Sequence, residues 1–152
     1  MSVIKVNKNI SIIIPCYNCG DTIIECLESI IKQLDSGDEI VVVDDFSKDD
    51  SVIKLEKIAQ KYNFIKVYKN EKNMGVSYTR NRAIKYSINP LITFVDGDDT
   101  VDDNYIRFIK KHHKNCNLMV FGLKYLNLKT GNVKIKNFEN KLNQKLPKNQ
   151  NL

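Results

Sequence analysis

Asp96-Gly97-Asp98-Asp99 sets three carboxylates within four residues, directly after the apolar run Leu91-Ile92-Thr93-Phe94-Val95. Acids that close repel one another, so a positive partner is expected. A hard cation such as Mg²⁺ takes oxygen ligands and suits such a cluster, and a metal held there can in turn hold a diphosphate. Gly97 permits the tight backbone that aims the flanking carboxylates at one centre. The plainer alternative is a glycine-containing turn followed by a helix cap, with Asp102 and Asp103 extending a solvated acidic loop.

A second acid pair, Asp44-Asp45, ends another apolar run. One aspartate would serve a turn or a helix N-cap. Two of them suggest a carboxylate that accepts from a base ring N–H or a ribose hydroxyl. Pro15 and Tyr17 follow the first apolar run. Tyr17 either packs on a nucleobase or covers the core edge, and both readings stay open. Arg80 sits behind a loop that holds Asn73 and Gly75. It suits a phosphate or the acidic rim, and equally an ordinary surface position. Cys16-Tyr17-Asn18-Cys19 is a Cys-x-x-Cys between a strand and a helix, the setting of a thioredoxin-like redox motif. Pro15 precedes its first cysteine, and redox catalysis leaves the acidic residues unexplained. Zinc fares worse, because only Cys116 and the pair His112-His113 remain as ligands. The two histidines suit a helix C-terminus.

The elements that must position these residues follow from periodicity. Residues 11–14, 39–43, 64–68 and 91–95 read as strands. Residues 21–34 carry Ile23, Ile24, Leu27, Ile30, Ile31 and Leu34 at helical spacing, and Thr22 with Glu25 fits a capping box. Residues 50–62 predict a second helix with Val52, Leu55, Ile58, Ala59 and Tyr62 inward. Residues 76–87 predict a third, ended by Asn89-Pro90, and residues 102–113 a fourth. Residues 118–128 are β-like, and Thr130-Gly131-Asn132 turns them back on 133–138. The order βαβαβαβ with near-continuous apolar strands predicts an α/β fold, a mostly parallel sheet flanked by helices. Such folds bind ligands at the carboxyl ends of their strands. The unusual polar residues all fall there.

The chain has 152 residues, 42% hydrophobic and 28% charged, which predicts one globular domain rather than a disordered chain. No apolar run reaches the length of a membrane span. The run at 10–14, after Lys5 and Lys8, stops at Pro15, too short for a signal-peptide core. The expected compartment is the cytoplasm, and Cys16, Cys19, Cys26 and Cys116 are expected to be reduced. The net charge of +6 is confined to residues 124–152, which hold seven lysines and one glutamate; residues 1–123 balance 17 basic against 17 acidic residues. That location argues against nucleic acid. It describes a solvated Lys/Asn-rich tail, with contact at the inner face of a membrane as the sharper alternative. The expected division is a nucleotide-binding domain at 1–123, then a hairpin-like segment and basic tail at 124–152.

Ile12-Ile13-Ile14-Pro15-Cys16-Tyr17-Asn18, Val41-Val42-Val43-Asp44-Asp45-Phe46-Ser47-Lys48-Asp49, Asn73-Met74-Gly75-Val76-Ser77 with Arg80-Asn81, and Phe94-Val95-Asp96-Gly97-Asp98-Asp99 together resemble the family 2 glycosyltransferases. These are nucleotide-sugar-dependent enzymes of the GT-A, Rossmann-like fold. The resemblance spans residues 9–110, and four motifs in the right order make it specific. It implies that Pro15 and Tyr17 line the base pocket, of uracil by family habit, and that Asp45 with Asp44 recognises the base. It places Arg80 near the nucleotide and Asp96 at the ribose or metal. Asp98 would ligate Mn²⁺ or Mg²⁺ on the diphosphate, and Asp99 would support the loop. It further implies an inverting transfer to a glycan or lipid-linked acceptor, with a general base deprotonating the acceptor hydroxyl.

That base is an Asp or Glu in the second half of the family's domain. After Asp103 this chain has one carboxylic side chain, Glu139, with no matching motif around it. The donor half is therefore expected, with a C-terminal part that is short or truncated. Apolar surface left uncovered would suit a homodimer. Two other functions compete. One is a non-catalytic nucleotide- and metal-binding module or assembly subunit. The other is a receiver-like phosphoacceptor domain, whose acid pair belongs after the first strand rather than the second.

Overall fold

Strand β1 (Ile10–Cys16) is buried along its whole length, as a run of isoleucines broken only by Ser11 and Pro15 requires. A computed structural model of the chain describes residues 9–115, 118–126 and 132–136. β1 pairs in parallel with β2 (Glu39–Asp44) on one side and β4 (Leu91–Phe94) on the other, and β3 (Ile65–Lys69) pairs in parallel with β2. The sheet order is β3-β2-β1-β4. Parallel neighbours need crossovers, supplied by α1 (Ile23–Ile31), α2 (Ser51–Lys61) and α3 (Val76–Tyr86). The mostly parallel α/β sheet expected from the apolar runs is present.

Register fixes which side chains meet. Ile13 lies opposite Val41 on β2 and Phe94 on β4, and Cys16 lies opposite Asp44. Ile13, Val41, Val43 and Ala83 of α3 form a fully buried cluster, against which Tyr68, Ile84 and Tyr86 pack. Tyr68 and Tyr86 stack with ring centroids 3.9 Å apart. Strand alternation sends Ile12, Ile14, Ile40 and Val42 to the opposite face, where they too are fully buried. On α2, Leu55 is fully buried while Val52, Ile58, Ala59 and Tyr62 are half-buried, the inward stripe expected.

Two helix starts differ from expectation. α1 begins at Ile23, and Thr22 makes no capping bond. Its hydroxyl donates instead to the carbonyls of Gly97 (3.0 Å) and Cys19 (3.3 Å), because the acidic loop brings an acceptor within reach. α4 (Tyr105–His112) begins three residues later than expected, and the Asp102 carbonyl accepts from Tyr105 N–H and from Gln33 Nε2. Lys110 on α4 pairs with the fully buried Asp38 carboxylate and with Asp35.

The chain divides into two compact units, Met1–Lys114 and Asn115–Leu152. In the second, β5 (Leu123–Leu126) pairs antiparallel with β6 (Val133–Lys136), as the β-like pattern predicted. The turn at Thr130-Gly131, Cys116 and the Lys/Asn-rich stretch 137–152 lie outside the described residues. Among the described residues no helix is long and apolar enough to cross a membrane. β4 ends the described sheet, and its Ile92 and Phe94 are exposed.

Truncating Ile13 to alanine removes three methyl(ene) groups from the cluster on β1 and should cost about 2–5 kcal/mol. Ile53→Ala, at a position 69% exposed, should stay within about 0.5 kcal/mol. Urea denaturation midpoints of the two variants against the parent check both.

Candidate functional site

Parallel strands deliver their exit loops to one rim, and a cavity of about 380 Å³ opens there. Its walls come from all four exits: Pro15 to Cys19 at the end of β1, Asp45 after β2, Asn73, Gly75, Val76 and Thr79 after β3, and Asp96 to Asp98 after β4. Of the residues singled out from sequence, Pro15, Tyr17, Asp45, Asp96 and Asp98 line it. Tyr17 is half exposed, with ring surface free to meet a ligand.

The two aspartates of the Asp44-Asp45 pair have separate tasks. Asp44 is buried and is not in the cavity wall. Its carboxylate accepts the Ser47 N–H (3.0 Å) and the Ser47 hydroxyl, closing the turn after β2. That turn is then tied to the β1 exit: Ser47 Oγ accepts Asn18 N–H, and Asn18 Oδ1 accepts Lys48 N–H. Asn18 and Phe46 both adopt positive φ, 50° and 69°, backbone strain concentrated where these two loops interlock.

Asp45 acts on the other side. Its Oδ1 accepts from Asn70 Nδ2 (2.7 Å) and Met74 N–H (2.8 Å), and its Oδ2 from Gly75 N–H (2.8 Å). Burial alone would raise its pKa. The hydrogen bonds from Asn70, Met74 and Gly75 outweigh burial and hold the carboxyl below the usual carboxylate range. Thr79 completes the knot, accepting from Asn70 Nδ2 and donating to the Gly75 carbonyl. Gly75 has φ +84°, a conformation that favours glycine and that turns its N–H onto the carboxylate.

The acidic loop after β4 is held from two sides. Arg80 Nη2 pairs with Asp96 Oδ1 at 2.5 Å, while its Nε is buried without a hydrogen-bond partner. Arg80 therefore backs Asp96 rather than lining the cavity. From α1, the Thr22 hydroxyl holds the Gly97 carbonyl and the Cys26 thiol holds the Asp96 carbonyl (3.5 Å). Gly97 packs so closely on Cys19 that an added Cβ would lie 2.9 Å from its Sγ, so only glycine lets the loop sit there. Asp98 lines the cavity and is exposed; Asp99 does not line it. Burial, then the charges of Asp98 and Asp96, push Asp99 above the usual carboxylate range. Among the described residues no three His, Cys, Asp or Glu side chains are grouped to hold a metal by themselves. An ion shared with a phosphate needs only one or two carboxylates.

Sequence reading did not assign Asn70, Asn73, Val76, Thr79 or Cys19 to the site. Asn73-Met74-Gly75-Val76 carried the signal for the loop, and Thr79 follows Gly75 by one helical turn. Asn70 carried none, since its partners come from β2 and α3.

The family model for glycosyl transferase family 2 matches residues 11–151. The minor teichoic acid biosynthesis protein GgaB of Bacillus subtilis is 33% identical over 137 residues, which cover 86% of this chain and 15% of that protein. The structure of S. aureus TarS 1-349 in complex with UDP-GlcNAc superposes with a TM-score of 0.62 at 37% identity, over 69% of this chain and 32% of that one. GalNAc-T7 with UDP, GalNAc and Mn²⁺ superposes with a TM-score of 0.60 at 26% identity, over 70% of this chain and 21% of that one. This chain thus spans a third or less of the length of each of these proteins. With its parallel sheet, its four strand-exit motifs and a family match over nearly all of its length, the chain belongs to glycosyl transferase family 2.

Proposed function

We propose that this chain is the donor-binding part of a glycosyltransferase that moves a sugar from a nucleotide diphosphate, a UDP-sugar, to a glycan or lipid-linked acceptor. One observation carries it: Pro15, Tyr17 and Asp45 meet Asp96 and Asp98 around a single cavity at the carboxyl ends of the strands. The relatives' bound UDP-GlcNAc and UDP support that choice of donor. Pro15 and Tyr17 form the base wall. Asp45 shapes the base pocket mainly by ordering residues 70–75, and Asp44 holds the neighbouring turn at Ser47. Asp96 sits at the ribose or the metal, Arg80 fixes it beside the nucleotide, and Asp99 supports the loop.

Asp98, with the free oxygen of Asp96, fits Mn²⁺ or Mg²⁺: the donors are hard oxygens on one cavity wall. GalNAc-T7, crystallised with Mn²⁺, supports a divalent ion here. When bound, such an ion neutralises charge on the departing diphosphate. An inverting displacement, the family's habit, completes the reading.

A second reading is a non-catalytic nucleotide-binding module, for which the cavity's lining is equally suited. The exposed Ile92 and Phe94 on β4 favour a homodimer, and the basic stretch 124–152 favours contact with an anionic membrane at the cytoplasmic face. A monomeric mass in light scattering at micromolar concentration would count against the dimer.

Isothermal titration with UDP and Mn²⁺ should give a dissociation constant that Asp98→Ala weakens about tenfold or more, and chelation should do the same. No binding, or binding indifferent to Asp98→Ala, rejects the metal-dependent donor site. A donor-hydrolysis or transfer assay on the binding-competent chain then separates enzyme from module.

Asp45→Asn should destabilise the fold by about 1–3 kcal/mol at pH 7, because it swaps an acceptor for a donor facing buried N–H groups. The carboxyl's pKa is depressed in the folded state, so its contribution is full above the unfolded value of about 3.9 and is lost as pH falls through the folded value. The gap between parent and Asp45→Asn should close as pH drops below about 4, read from urea midpoints across a pH series.

A further inference from the structure

Cys16 and Cys19 both line the cavity, and nothing in the donor reading uses either sulfur. Both are free thiols. Their backbones are fixed: Cys16 ends β1, Cys19 N–H donates to Ser51 Oγ (2.9 Å), and the Cys19 carbonyl accepts Thr22 and Ile23 N–H. Their sulfurs are neighbours, and each acts on the other's ionisation. Cys19 Sγ also accepts Tyr17 N–H at 3.3 Å.

The thiol form of Cys19 can donate to the Tyr17 carbonyl at 3.6 Å, and its thiolate accepts the Tyr17 N–H. The Cys16 thiol, with the Tyr17 N–H, draws Cys19 below the usual cysteine range, against burial and the charges of Asp98 and Asp49. The same contact, with burial, pushes Cys16 far up. Cys26 is different: burial pushes it up to about 12, and its thiol is engaged with the Asp96 carbonyl. Cys19, whose sulfur accepts an N–H in the cavity wall, is the attacking thiol; Cys16 stands beside it; Cys26 is turned to the Asp96 carbonyl.

We propose that Cys16 and Cys19 are an oxidation site in the cavity wall, which hydrogen peroxide closes into a disulfide, and that closure weakens nucleotide binding there. The second half rests on the donor reading. The Cys19 thiolate attacks the peroxide; an S–O bond forms, the O–O bond breaks, and the departing hydroxide is protonated to water. The Cys16 sulfur then attacks Cys19. An S–S bond forms, the S–O bond breaks, and the departing hydroxide takes the Cys16 proton as a second water. Two thiols lose two electrons in total, and peroxide gains them. Closure takes the Cys19 sulfur off the Tyr17 N–H and off its seat against Gly97, so both the base wall and the acidic loop lose a support.

The test treats the full chain with hydrogen peroxide and cleaves it after Lys and Glu. Peptide 9–25 then carries Cys16 and Cys19 without Cys26 or Cys116. The expected result is a peptide two hydrogens lighter, restored by dithiothreitol, with UDP affinity at least about tenfold weaker in the oxidised chain. Cys16→Ser should stop at a Cys19 sulfenic acid that dimedone traps. A peptide that gains oxygen without losing hydrogens, or a disulfide that involves Cys26 or Cys116 instead, overturns the site. Equal UDP affinity before and after closure overturns the effect on binding. UDP that fails to bind even the reduced chain overturns the donor reading and with it that second half, while the peptide mass still decides the first.

Discussion

Parallel pairing of β1 with strands on both of its sides is the constraint from which the rest follows. A central parallel strand has no solvent face, so its side chains must be apolar in both directions, and Ile12, Ile13 and Ile14 are. Parallel neighbours cannot be joined by a hairpin, so α1, α2 and α3 must intervene. All four strands therefore end at the same rim. Residues as far apart in sequence as Pro15 and Asp96 become walls of one cavity.

What the sheet brings near, a few polar contacts fix in place. Asp45 is the most consequential, because its carboxylate collects three N–H groups from a loop that has no regular structure of its own. Burying a charge is costly unless it is hydrogen-bonded, and here the bonds that relieve that cost also order the loop. Asp44, next to it, points elsewhere and closes the turn at Ser47. Adjacent strand residues face opposite ways, so two neighbouring acids that look like one functional pair serve two loops.

The acidic loop is arranged on similar terms. Arg80 compensates Asp96, α1 holds the loop's carbonyls through Thr22 and Cys26, and Gly97 lets it press on Cys19. Asp98 is left exposed at the cavity. Of the loop's three carboxylates, Arg80 pairs with Asp96. The cysteines belong to this same contact, so the sulfur chemistry and the acidic loop share one packing surface.

The amino-acid sequence by itself determined the strand and helix order, the parallel sheet and the rim on which the chemistry falls, because burial on both faces and crossover helices leave their marks in local periodicity. It also marked Pro15, Tyr17, Asp45, Asp96 and Asp98, which stand at strand ends. Only the tertiary structure decided that Thr22 would hold Gly97 instead of capping α1, that Arg80 would back Asp96, that Asp45 would be occupied by residues 70–75, and that Cys16 and Cys19 would meet beside the acidic loop. Those contacts depend on how separate elements pack, Thr22 and Gly97 lying 75 positions apart, and hydrogen-bond direction across elements is set by packing, which local sequence pattern does not encode.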